Sequence, residues 1–357
     1  MSIILGDDTT GNNIYYFTPG PNLVSFNILP ANTSIENIFS NIDYNLISII
    51  SEGEISHQVN NEWVGSLSNI QYDKGYWVVA SIVSLLDIEG NVGSPATYVL
   101  YPGANLISYP YNTSQAIEDG IPFYMNNSLH AIIGENAAAL FSEEEIFGSL
   151  SHFEPNKGYW FLMNDLVPFE YNMPVEQSEE TPNYRIDDES TMNYNQSTMQ
   201  SVFFINQAFY NGETLTNNDE ILIYCNNTNV GGKPWDGLMT DIIAMGNDGY
   251  VGTENYCEEM QNISIAIENE NTSSMMYVLG NTHWQNNEIS IVSISNVELG
   301  DINFNNTLNV TDIIIIIDHI TQNILMENAH QLFLADMNFD NTINITDIIL
   351  LIDLIIE

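Results

Sequence analysis

Basic side chains are almost missing from this chain of 357 residues: Lys74, Lys157, Arg185 and Lys233 face 47 acidic residues, for a formal net charge of −43. A surface that acidic repels phosphate backbones and anionic lipid, so nucleic acid and anionic lipid surfaces are poor partners. Self-repulsion on this scale needs screening by cations, so divalent metal is expected to matter to stability as a whole. Cysteine is scarcer still. Cys225 and Cys257 are the only two, and the sequence leaves one disulfide or two buried thiols equally open. Long hydrophobic runs are absent too: no uninterrupted one, Ile313–Ile317 included, exceeds five residues, where a membrane helix needs about 20, so no membrane insertion is expected. The opening Met-Ser-Ile-Ile-Leu-Gly-Asp-Asp has no basic region and too short an apolar stretch for a signal peptide. The six histidines are scattered without metal spacing, and no nucleophile elbow or phosphate loop occurs. The expectation is that the chain is not an enzyme.

What is present is repetition. Gly20-Pro-Asn-Leu-Val-Ser-Phe26 returns as Gly103-Ala-Asn-Leu-Ile-Ser-Tyr109, and Lys74-Gly-Tyr-Trp77 returns as Lys157-Gly-Tyr-Trp160, at one spacing of 83 residues. Two tandem α+β repeats are therefore expected, at 1–92 and 93–175. Each should open on an alternating strand, continue through a short helix and close on the Gly-Tyr-Trp strand. Thr33-Ser-Ile-Glu36 has the form of a capping box for the first helix, and Ser114–Ile121 matches it in the second repeat. The lysine before each Gly-Tyr-Trp reads as half of an ion pair or as a stem over a ring. The alternative is a ligand-gripping lysine beside an aromatic sugar platform.

Residues 176–198 are acidic and poor in aliphatics, and read as a linker. Beyond them, strand patterns at Val202–Phe209, Glu220–Cys225, Asn262–Glu268, Met275–Leu279 and Glu288–Ile294 predict an antiparallel β-sandwich at 199–297. Trp235, Trp284, Tyr210, Tyr250 and Tyr256 fall in or beside its loops. Core packing is the expectation for them, with sugar stacking as the alternative. The fold class expected for the whole is multidomain, mainly β with some α, ending in a small all-α module at 298–357.

That last module carries the chemistry. Asp301-Ile-Asn-Phe-Asn-Asn-Thr-Leu-Asn-Val-Thr-Asp312 and Asp336-Met-Asn-Phe-Asp-Asn-Thr-Ile-Asn-Ile-Thr-Asp347 align without a gap. Calcium takes roughly six to eight oxygens, and a twelve-residue loop supplies them from positions 1, 3, 5, 7, 9 and 12. In the first loop these are Asp301, Asn303, Asn305, the carbonyl of Thr307, Asn309 directly or through water, and Asp312. In the second they are Asp336, Asn338, Asp340, the carbonyl of Thr342, Asn344 and Asp347. Two Ca2+ ions are expected, held more tightly by loop two, which has three carboxylates against two. Asn306 and Asn341 stand at position 6, where glycine is usual; Asn is the next best residue for a left-handed turn. Isoleucine-rich helices follow at Ile313–Ile320 and Ile348–Ile356, leaving apolar surface to be covered.

The last 60 residues or so thus resemble a type I dockerin, a pair of calcium-loop-plus-helix repeats joined by a linker helix. The resemblance implies that Val310, Thr311, Ile345 and Thr346 contact a cohesin-like β-sandwich. The N-terminal repeats and the middle β-module resemble surface-protein modules of marine bacteria. Together these readings predict a calcium-dependent assembly protein, extracellular or exposed on a cell or virion surface, that docks onto a cohesin-like partner or another copy of itself. The competing expectation is an adhesin for glycans that uses calcium only to fold.

Overall fold

The computed structural model describes residues 10–125, 127–142, 145–175, 194–269 and 272–356. The chain start, positions 176–193 of the acidic linker, and Glu143 and Glu144 of the triple-glutamate run lie outside them. The chain divides into two compact units, one of Met1–Gln200 with Met245–Glu254, the other of Ser201–Ala244 with Asn255–Glu357. The segment Met245–Glu254, assigned on sequence to the β-module, therefore belongs with the N-terminal unit, where the Tyr250 hydroxyl meets Ser48 Oγ.

In the N-terminal unit each repeat builds a five-stranded antiparallel sheet. The first has the order Gly20–Ser25, Gly75–Ala80, Leu46–Ser51, Glu54–Val59, Glu62–Gly65, and the second the order Gly103–Ser108, Gly158–Met163, Leu129–Ile133, Ala138–Ser142, Glu145–Phe147. The Gly-Tyr-Trp strand is thus second in its sheet and does not close the repeat. A further strand follows it: Ser84–Val92 pairs with Thr10–Phe17, and Val167–Phe169 with Tyr98–Leu100. The short helices are α1 (Ile35–Ile38) and α2 (Ile117–Gly120). Ser34, not Thr33, caps α1 by accepting from Asn37 N, and Ala116 at the α2 N-cap offers no side-chain bond.

The repeated motif is explained where the repeats meet. Alternation along the strand sends Val24 and Phe26 into the first repeat's own core, while Leu23 joins Trp77, Leu106 and Trp160 in a separate cluster between repeats. Leu23 and Leu106 are equivalent in the two copies, as are Trp77 and Trp160, so the seam has pseudo-two-fold character. Backbone bridges obey the same exchange, Val24 with Lys157 and Ile107 with Lys74. Glycine is needed there, because a Cβ on Gly158 would stand 2.9 Å from the Val24 carbonyl oxygen. Tyr76 and Tyr159 accept from the Gln71 and Glu154 amides inside their own repeats. Lys74 pairs with Glu54 and Lys157 with Glu135, both at 2.8 Å, so the ion-pair reading holds and the tryptophans form no open platform.

The C-terminal unit opens with one continuous sheet in the order Glu213–Thr214, Gln200–Tyr210, Ile289–Ser295, Thr272–Gly280, Ser264–Asn269, Glu220–Cys225, Thr228–Pro234, with Thr240–Met245 also pairing to Gln200–Tyr210. The expectation of a wholly antiparallel arrangement is corrected: Gln200–Tyr210 and Ile289–Ser295, the first and last long strands, run parallel. A Cβ on Gly231 would lie 2.2 Å from the Ile243 carbonyl oxygen. Glycine there lets two strands far apart in the sheet order come close. Cys225 and Cys257 form a disulfide. Trp235, Trp284 and Tyr256 are buried, and Trp284 donates to the Ala244 carbonyl.

Three helices complete the unit: α3 (Val310–Ile320), α4 (Ala329–Ala335) and α5 (Ile345–Ile356). Their core is shared with the sheet, since Phe209 and Val297 pack in one cluster with Ile302, Ile316, Phe333, Leu334 and Leu351. His330 of α4 is the pin of that junction. Its Nδ1 accepts from Gly212 N at 3.1 Å, its Nε2 lies 2.8 Å from Ser295 Oγ, and its ring stacks on Phe209 and leans on Phe304.

Candidate metal centre and docking face

The two loops ahead of α3 and α5 fold alike because the same residues spend the same atoms on the backbone. Asp301 accepts from Asn305 N and Asn306 N, and Asp336 from Asp340 N and Asn341 N. Asp312 accepts from Ile302 N and Asn309 N, and Asp347 from Met337 N and Asn344 N. Each loop needs two left-handed residues, Phe304 and Asn306 in the first, Phe339 and Asn341 in the second. Asparagine at position 6 takes that conformation readily; phenylalanine at position 4 takes it at a cost of about 1–3 kcal/mol, met by the surrounding bonds.

Loop and helix overlap. Asn309, the ninth loop residue, is the N-cap of α3, and Asp312, the twelfth, closes a capping box with it. Asn344 and Asp347 repeat both bonds at α5. The helices accordingly begin at Val310 and Ile345, three residues before the apolar runs that announce them. The Asn309 and Asn344 amides are committed at both ends, accepting from Thr311 N and Thr346 N and donating to the Thr307 and Thr342 carbonyls.

A cation fits these loops. Asp301, Asp312, Asp336 and Asp347 are all buried, yet the three described lysines pair elsewhere. Buried carboxylates without a counter-charge are costly. Asn303 donates its Nδ2 to Asp312 while its Oδ1 is buried with no hydrogen-bond donor, an oriented acceptor of the kind calcium takes. Among the described residues no three His, Cys, Asp or Glu side chains converge on one point, in keeping with loops whose remaining donors are asparagine and main-chain oxygens. In loop two Asp340 accepts from Thr342 N and from Asn338 Nδ2, so its carboxylate is partly engaged.

Residues 299–356 match the family model of the dockerin type I domain. The C-terminal module is of this type. No curated protein and no solved structure matches the chain. Type I dockerins bind calcium and carry calcium-dependent protein–protein docking.

The module leaves two equivalent stripes uncovered. Val310, Ile314 and Ile317 along α3 correspond residue by residue to Ile345, Ile349 and Ile352 along α5, and all six are exposed. Thr311 and Thr346, singled out with Val310 and Ile345, are exposed beside them at the helix starts. The opposite faces, through Ile316 and Leu351, enter the shared core. The linker helix implied by the resemblance is α4, but sequence had no signal for His330 as its weld to the sheet, since His330 is one histidine among six and its hydrogen-bond partners Gly212 and Ser295 lie far away in the chain.

Proposed function

We propose that this chain is an assembly protein of an extracellular or surface setting, on a cell or a virion. Its dockerin-type module docks through the α3 and α5 stripes onto a cohesin-like β-sandwich or onto another copy of the chain. The observation that carries the reading is the pair of matched isoleucine-rich stripes, each starting one residue after a calcium loop's N-cap. Exposed contiguous apolar surface of this kind marks an interaction site. A disulfide suits an oxidising compartment, and no helix among the described residues is long and apolar enough to cross a membrane. On this reading two calcium ions order the loops, the acidic repeats are the displayed surface, and no catalysis is involved.

Sedimentation velocity of the full chain, alone and with a cohesin-type β-sandwich, in calcium and in EGTA, tests it. Complex formation in calcium, lost in EGTA, in Asp336→Ala plus Asp347→Ala, and in Ile314→Asp plus Ile349→Asp, is the expected result. A chain that stays monomeric and unbound in every condition overturns the docking reading and leaves calcium as a folding staple.

A further inference from the structure

Beside the second calcium loop lies a cleft of about 550 Å³, within the range of small-ligand sites. Its floor is the outer face of the parallel strand pair, Asn206 and Gln207 against Ser293. One wall is α4, through Leu332 and Phe333. The lip is loop two, through Phe339 and Asn341, with His319 from the end of α3.

Consecutive strand residues normally point to opposite faces. Here the register shifts between Ile205 and Gln207, and this bulge brings both Asn206 and Gln207 to the cleft, the re-aiming that bulges perform beside functional sites. Among the described residues the side chains of Asn206, Gln207, Ser293 and Asn341 have no hydrogen-bond partner, whereas neighbouring amides such as Asn211 and Asn296 bond each other. His319 Nδ1 accepts from Met326 N, so in the neutral ring the proton sits on Nε2.

The aromatic side is equally distinct. Phe304 and Phe339 hold the same loop position with the same left-handed backbone. Phe304 packs on His330 inside the junction; Phe339 is half exposed on the lip of the cleft. Unpaired amides and a hydroxyl facing an exposed ring suit a ligand with hydroxyls on its edge and a C–H face for stacking. Charge excludes the alternatives: no lysine lines the cleft to hold an anion, and Asp336, its one carboxylate, is engaged by Asp340 N and Asn341 N.

We propose that this cleft binds a neutral sugar, with Asn206, Gln207, Ser293 and Asn341 bonding hydroxyls and Phe339 stacking on the ring. Loop two positions Phe339 and Asn341, so sugar binding depends on calcium without the metal touching the sugar. The site does not rest on the docking reading, because the α3 and α5 stripes line none of it.

The test is saturation-transfer NMR of the full chain in saturating calcium with glucose, galactose, mannose, N-acetylglucosamine, cellobiose, maltose and lactose, each titrated. Saturable binding by at least one sugar is expected, weakened about fivefold or more by Gln207→Ala plus Ser293→Ala, on the scale of two lost hydrogen bonds. Phe339→Ala should lose it, and EGTA should abolish it. The docking variant Ile314→Asp plus Ile349→Asp should bind as the wild type does, which separates this site from the docking face. No binding by any of the seven sugars, or binding unchanged in Gln207→Ala plus Ser293→Ala and in Phe339→Ala, overturns the proposal.

Discussion

Lowering the pH should loosen the calcium module from its sheet through one side chain. His330 is fully buried between Phe209 and Phe304, and burial alone pushes its pKa down from 6.5 to about 4. No charged side chain contributes to that shift. Gly212 N donates to Nδ1, so the neutral ring is the form that fits. The unfolded chain takes up a proton below pH 6.5 that the folded chain refuses until about 4. The stabilisation is therefore complete above 6.5 and declines as pH falls through that window, by about 1.4 kcal/mol per pH unit. Between pH 7 and pH 5 the loss is about 2 kcal/mol, or about thirtyfold in the opening equilibrium. Hydrogen exchange of peptides covering α4, in saturating calcium and corrected for intrinsic rates, reads this directly. His330→Gln should remove the extra pH dependence, whatever it does to stability at pH 7. Equal pH dependence in wild type and His330→Gln would refute the reasoning, as would an NMR titration of His330 near 6.5.

Calorimetric titration should resolve two calcium sites, with Asp347→Ala abolishing the tighter, because loop two carries the extra carboxylate of Asp340; loss of the weaker site alone would reverse that order. Leu23→Ala empties part of the seam between repeats, and about 2–5 kcal/mol should disappear from urea unfolding of the N-terminal unit. Gly158→Ala should also destabilise, by about 1–3 kcal/mol, since the new methyl group meets the Val24 carbonyl; an unchanged midpoint would mean the seam is looser than its geometry. Reducing Cys225–Cys257 should cost the C-terminal unit about 3–4 kcal/mol on a chain-entropy estimate, measured as a drop in its thermal midpoint.

The calcium loops and the repeats were legible in sequence because both are local. Twelve consecutive residues define a loop, and a motif repeated at a fixed spacing reports itself. Thr228–Pro234 and Thr240–Met245 carry no strand signal in sequence because they contain or flank Gly-Gly-Lys-Pro-Trp, whose glycines and proline read as a turn. In space those glycines allow one strand to lie against Ile243, a requirement that no local pattern expresses. The parallel pairing joins residues nearly 90 positions apart. The tryptophans were ambiguous for a related reason. Alternation predicts one buried and one open face, but here the second face is covered by the other repeat. The helices start before their apolar runs because the loop's last ligand residues double as cap residues.

The parallel pairing of Gln200–Tyr210 with Ile289–Ser295 decides how this unit answers to force. The chain enters at the start of one strand and leaves at the end of its neighbour, so tension drawn along the chain slides the two past each other. Every hydrogen bond between them then bears load together, where an antiparallel hairpin pulled from its open end would unzip one rung at a time. The first calcium loop begins at Asp301, a few residues after that strand ends at Ser295, and the helices that follow share the sheet's core. A tug on a docked module therefore reaches the strongest part of the sheet without slack between.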